Sequence, residues 1–133
     1  MVYLVDDDVD DLEFVQEALM RNSYKGPVDT VANGQVLIDK LTSDQNPVKP
    51  DVIVMDLNMP LKDGFQALEE IKNHPALKLI PVIILTASSN KEDEMRCFEL
   101  GCQSYFRKPD RIDDYNNVVH AIKAHVKKQN QLD

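Results

Sequence analysis

Apolar and polar residues along this 133-residue chain fall into two alternating kinds of pattern. VYLV at 2–5, DVIVM at 51–55 and PVIIL at 81–85 are short apolar runs. They read as strands buried on both faces, as the inner strands of a parallel sheet must be. VDTVA at 28–32 alternates and is β-branched, and CQSYF at 102–106 is a weaker match, so both are predicted as further strands. Between these runs apolar residues recur every three or four positions. Leu12, Val15 and Leu19, widened by Phe14 and Ala18, predict a helix over Asp8 to Met20 that fails in the Asn, Ser, Gly and Pro cluster at 22–27. Val36, Leu37 and Leu41 predict a second helix entered at Asn33-Gly34. Phe65, Leu68 and Ile71 predict a third, closed before Pro75. Met95, Phe98 and Leu100 predict a fourth that Gly101 stops, and Ile112, Tyr115, Val118, Val119, Ile122 and Val126 a closing helix. The polar tail from about Lys127 is expected to fray.

The order is therefore βαβαβαβαβα with short links, and no repeat or linker divides it. It predicts one α/β domain over residues 1–133, a doubly wound five-stranded parallel sheet with right-handed crossovers and helices on both faces. In open sheets of this kind, ligands sit beyond the carboxyl ends of the strands, where the strand order switches.

That rule selects the candidate chemistry. Asp6 and Asp7 follow the first strand, Asp56 the third, Thr86 the fourth and Lys108 the fifth. Three carboxylates converging at one sheet edge make little sense without a cation, and an all-oxygen donor set suits a hard divalent ion such as Mg²⁺. Mg²⁺ held by few carboxylates commonly shares its remaining positions with phosphate. A lysine is a compact charge suited to a phosphoryl oxygen, and a threonine hydroxyl can donate to another. Asp56 can itself attack phosphorus and become an aspartyl phosphate.

Charge and composition narrow the field. The formal net charge of −8 argues against a direct nucleic-acid partner and against docking on anionic lipid, both of which want a basic face. No run has the length of a membrane span and no signal-peptide pattern opens the chain, so a cytoplasmic location is expected. Cys97 and Cys102 match neither a zinc nor a CxxC pattern and read as small buried residues in a reducing compartment. Five aspartates crowd positions 6–11, and Asp8, Asp10 and Asp11 are assigned to helix capping or solvation. Asp6, Asp8, Asp10 and Glu17 mimic a calcium loop, but Asp11 stands where that loop needs glycine and a strand precedes it. His74, His120 and His125 have no spacing that suggests catalysis or zinc.

DDD at 6–8, MDLNMPLKDG at 55–64, LTA at 85–87 and KP at 108–109 together resemble the receiver domain of two-component response regulators. The resemblance spans essentially the whole chain. It implies a flavodoxin-like strand order 2-1-3-4-5 and a stand-alone signalling switch, not an enzyme with an external substrate. Asp56 would be the phosphoacceptor, taking its phosphoryl group from the phosphohistidine of a sensor histidine kinase or phosphotransfer protein. Asp7 and Asp56 would bind Mg²⁺ directly, Asp6 mostly through water, and the main-chain carbonyl of Asn58 would add a ligand. Lys108 would pair with the phosphoryl group, and Lys108-Pro109 would be a cis peptide. Thr86 and Tyr105 match the switch pair that biases the face of helix four, strand five and helix five. Pro60 and Gly64 would shape the loop after Asp56. Output would pass through a downstream protein target or a homodimer. Asp110 departs from the usual apolar residue at that place, so the start of the last helix is expected to be built differently. A phosphatase of the haloacid dehalogenase type is the rival reading, and it needs a general acid where Asn58 stands. A degenerate receiver that only binds a partner is the third.

Overall fold

The computed structural model describes residues 1–45 and 48–126; the predicted polar tail lies outside them. Five parallel strands form one sheet in the order β2-β1-β3-β4-β5: β1 is Val2–Val5, β2 Val28–Val31, β3 Val52–Met55, β4 Val82–Thr86 and β5 Ser104–Arg107. The helices between them are α1 (Val9–Arg21), α2 (Gly34–Thr42), α3 (Gly64–Lys72), α4 (Lys91–Leu100) and α5 (Asn116–His125). β1, β3 and β4 are buried along their whole length, which is why their sequences are apolar at every position rather than alternating. One face of the sheet packs Tyr3, Val5, Ile53, Met55, Val82 and Ile84 against α2 and α3 residues such as Leu37 and Leu68. The other packs Val2, Leu4, Val52, Val54, Ile83 and Leu85 against Leu19 of α1 and Ile122 of α5. The fold is the doubly wound, flavodoxin-like arrangement expected.

Local signals place the helix ends. Asp8, Asn33, Asp63 and Asn90 cap α1 to α4 with side-chain oxygens accepting from backbone N–H groups, and Asp63 with Gln66 forms a reciprocal capping box. Gly101 closes α4 at φ 103°, a left-handed conformation that glycine adopts without a Cβ penalty.

Four expectations need correcting. β5 begins at Ser104, not Cys102, because the N–H of Cys102 still bonds back to Cys97 O in the turn that closes α4. The closing α-helix begins at Asn116 and not with the Ile112 stripe; its start is built differently, as Asp110 led us to expect, with Ile112–Tyr115 forming a 3₁₀ turn whose preceding residue, Arg111, supplies no side-chain cap. Two of the three residues of the stripe assigned to α4 face away from the core: Met95 and Phe98 are exposed, whereas Leu100 packs partly buried against the core and Cys97 is the helix's buried residue. Finally, no peptide bond among the described residues is cis, so Lys108-Pro109 is trans. Trans is the favoured state of an X–Pro bond by roughly 0.5–1 kcal/mol. In that geometry the N–H of Lys108 already bonds to Thr86 O at 2.7 Å while its ammonium enters the site.

Candidate metal and phosphoacceptor site

The sheet ladder itself carries the site residues to one edge. Past the last paired strand residues, Asp6 N–H still donates to Val31 O at 3.0 Å and Asp56 N–H to Val5 O at 3.0 Å. Asp6 and Asp56 therefore stand at the adjoining ends of β1 and β3, and Lys108 leaves β5 on the same edge. A carboxylate oxygen from each of Asp6, Asp7 and Asp56 lies within 4.8 Å of the others. Asp6 and Asp56 are buried, and Asp7 is exposed. Two backbone groups fix the buried pair: Leu57 N–H donates to Asp56 Oδ1 at 2.7 Å and Asp8 N–H to Asp6 Oδ1 at 3.0 Å.

The Lys108 ammonium sits inside this cluster, 3.0 Å from Asp56 Oδ2 and 2.8 Å from Asp6 Oδ2. Its third partner is Asp11 Oδ2 at 2.6 Å, from the first turn of α1. Burial alone would pull the lysine down. The carboxylates of Asp11, Asp6 and Asp56 outweigh burial and hold its pKa above the ordinary range. Asp6 shows the opposite balance: desolvation raises its carboxyl more than Lys108 and the Asp8 N–H lower it. The donors are oxygens only, two of them buried and converging on one point, which fits a hard divalent cation.

Thr86 is the last residue of β4 and fully buried, within the strand rather than after it. Ser88 N–H lies 3.4 Å from Thr86 Oγ1, and Ser88 Oγ donates to Asp93 of α4 at 2.8 Å. The Tyr105 hydroxyl, half-buried, donates to Ser88 O at 3.2 Å. Thr86 and Tyr105 thus meet the same short β4–α4 loop. Asn58 is exposed in the loop after Asp56. That loop returns tightly: Gly64 N–H donates to Leu57 O at 2.9 Å, and a Cβ on Gly64 would lie 2.4 Å from Asp56 O.

The profile of the response regulator receiver domain family matches residues 2–123. This chain is a response regulator receiver domain. It is 33% identical to response regulator Rcp1 of Synechocystis sp. over 127 residues, 93% of this chain and 86% of that protein. Among solved structures, the Mn²⁺-bound form of response regulator Rcp1 matches with a TM-score of 0.82 at 33% identity, covering 92% of this chain and 91% of that one. The phosphorylated cyanobacterial phytochrome response regulator RcpA matches with a TM-score of 0.83 at 34% identity, over 92% and 89%. The receiver domain is therefore a signalling module of a two-component system. Its acidic cluster corresponds in chemistry to a divalent-metal site.

Of the residues singled out in the sequence, Asp6, Asp7 and Asp56 converge, and Lys108 contacts Asp6 and Asp56. Asp8 caps α1, accepting from Asp10 and Asp11 N–H, and Asp10 is exposed. Asp11 is the correction. It was assigned to capping or solvation, yet its carboxylate reaches across to Lys108, 97 residues away. The signal was weak: a second aspartate in the first turn of a helix looks like dipole compensation. Only the three-dimensional approach of the β5 end to α1 distinguishes it.

Proposed function

We propose that Asp56 of this receiver domain accepts a phosphoryl group from the phosphohistidine of a histidine kinase or phosphotransfer protein, with Mg²⁺ as cofactor. The observation that carries this reading is the Asp56 carboxylate itself. It is buried, fixed by the Leu57 N–H, and set beside both the Lys108 ammonium and the two other carboxylates. An Asp56 oxygen attacks phosphorus in line, the P–N bond of the donor breaks, and the imidazole nitrogen keeps the electron pair. Asp6, Asp7, Asp56 and the Asn58 carbonyl would hold the cation, Asp6 in part through water. When bound, the cation offsets negative charge on the phosphoryl oxygens. Lys108 balances the charge from the other side, and the Thr86 hydroxyl donates to a phosphoryl oxygen. Attack by water on the acyl phosphate later returns inorganic phosphate, so the domain resets itself without being an enzyme for another substrate.

The output follows from the β4–α4 loop. Drawing Thr86 toward the phosphoryl group moves the loop that Tyr105 holds through Ser88 O. The bias passes to the face of α4, β5 and α5. Met95 and Phe98 are exposed on α4, so a protein target or a second copy of the chain has apolar surface to read there. The whole chain, 1–133, acts as one receiver domain in the cytoplasm, with no nucleic acid or membrane as direct partner. The test is intact mass after treatment with acetyl phosphate and Mg²⁺. Wild type should gain one phosphoryl group and Asp56→Asn none; an adduct on both, or on neither, rejects Asp56 as acceptor.

A further inference from the structure

The three N–H bonds of the Lys108 ammonium face three carboxylates, and these are not equivalent. Asp6 and Asp56 belong to the oxygen cluster that fits a cation, whereas Asp11 does not. Asp11 makes the shortest of the three contacts, at 2.6 Å, and stands on a different element, the first turn of α1. It also lines the same small cavity as Asp6 and Asp56. The Lys108 side chain is only 12% exposed.

A cation held by Asp6 and Asp56 competes for two of the lysine's three charged partners and places a like charge beside it. A mostly buried ammonium left without an acidic partner is costly. Asp11 is the partner that stays. We propose that Asp11 is a positioning residue of this receiver: it parks the Lys108 ammonium while the metal occupies Asp6 and Asp56, and so relieves the lysine's competition for those carboxylates. The proposal rests on the metal-site reading above and adds a residue that acts on the metal only through Lys108.

That indirect route separates it from simple charge. If Asp11 works by holding Lys108, its removal should matter only while the lysine is there. If it works as a distant negative charge, its removal should weaken cation binding equally with or without the lysine. The experiment is a double-mutant cycle on Mn²⁺ affinity, read by the electron paramagnetic resonance of free Mn²⁺ on the full chain. The four proteins are wild type, Asp11→Asn, Lys108→Met and the double variant.

The expected result is a loss of roughly tenfold in Mn²⁺ affinity for Asp11→Asn in the wild-type background and about twofold or less in the Lys108→Met background. Asp11→Glu, which keeps a carboxylate within reach of the ammonium, should retain more of the affinity than Asp11→Asn. Far-ultraviolet circular dichroism of each metal-free protein checks the fold, and Asp11→Ser replaces Asp11→Asn if the latter does not fold. Equal losses in both backgrounds, or no loss in the wild-type background, would overturn the positioning role while leaving the metal site intact. Absence of Mn²⁺ binding by wild type would instead overturn the metal-site reading, and the positioning role with it.

Discussion

Substituting Lys108 by Met keeps most of the aliphatic stem and removes the ammonium that three carboxylates share. The nitrogen lies 2.6, 2.8 and 3.0 Å from oxygens of Asp11, Asp6 and Asp56. At an effective dielectric of about 20, one unit pair at the 2.8 Å separation is worth about 6 kcal/mol before desolvation. Desolvation of the ammonium and of the two buried carboxylates offsets much of that, and removing one partner of a buried pair costs roughly 3–5 kcal/mol. The variant also leaves Asp6 and Asp56 facing one another without a cation between them. In a chelator, Lys108→Met should therefore lose about 3–5 kcal/mol of unfolding free energy, a fall in Tm on the order of 10 °C. A divalent cation should reverse part of this. It binds the folded state and gains most where the lysine no longer competes for the same oxygens. The assay is urea unfolding followed by circular dichroism at pH 7, with EDTA and with excess MgCl₂. A variant within about 1 kcal/mol of wild type in EDTA, or one whose deficit is the same with and without Mg²⁺, would refute the reasoning.

Two further outcomes follow from the packing. Gly64→Ala puts a Cβ 2.4 Å from Asp56 O and 2.7 Å from Leu57 Cα, both backbone, so the start of α3 must move away from the acceptor loop. Its urea midpoint should drop by the equivalent of about 1–3 kcal/mol with the slope unchanged. Burial pushes the Cys97 thiol up to about 12 and the Cys102 thiol up to about 11, so neither should react with a disulfide reagent at pH 8 until denaturant is added. The folded values exceed the ordinary 9.0, so the unfolded chain ionises first and these thiols should lower stability only as the pH rises above 9.0.

How much of this was legible in the sequence depends on the range of the interaction. β1, β3 and β4 are inner strands with both faces covered, and continuous burial writes itself as continuous apolarity. The caps at Asp8 and Asn33 are contacts of two or three residues, and residue type marks them, whereas those at Asp63 and Asn90 emerged only in the structure. The face of α4 was not legible. Met95 and Phe98 have helical spacing, but periodicity states only that a helix has an apolar side, not that anything covers it. Nor was the Lys108-Pro109 geometry: the dipeptide permits both isomers, and the surrounding contacts select one.

The crowd of aspartates at 6–11 shows the same division, and it bears on what the site requires. Asp7 and Asp10 are exposed, and Asp8 spends its charge on the N–H groups of α1. Asp6 and Asp11 are the two that turn inward, and both do so toward Lys108. With Asp56, three carboxylates surround one ammonium and Asp7 adds a fourth at the cluster, an excess of three negative charges that a divalent cation would largely offset. A monovalent ion would leave the pocket more negative against an incoming phosphoryl group. Lys108 therefore offsets part of the charge of these carboxylates and leaves them suited to a dication. The upward shift of Asp6, which desolvation keeps above its ordinary value even beside a lysine, is the remaining imbalance. Burial is its first cause, and Lys108 and the Asp8 N–H only partly offset it.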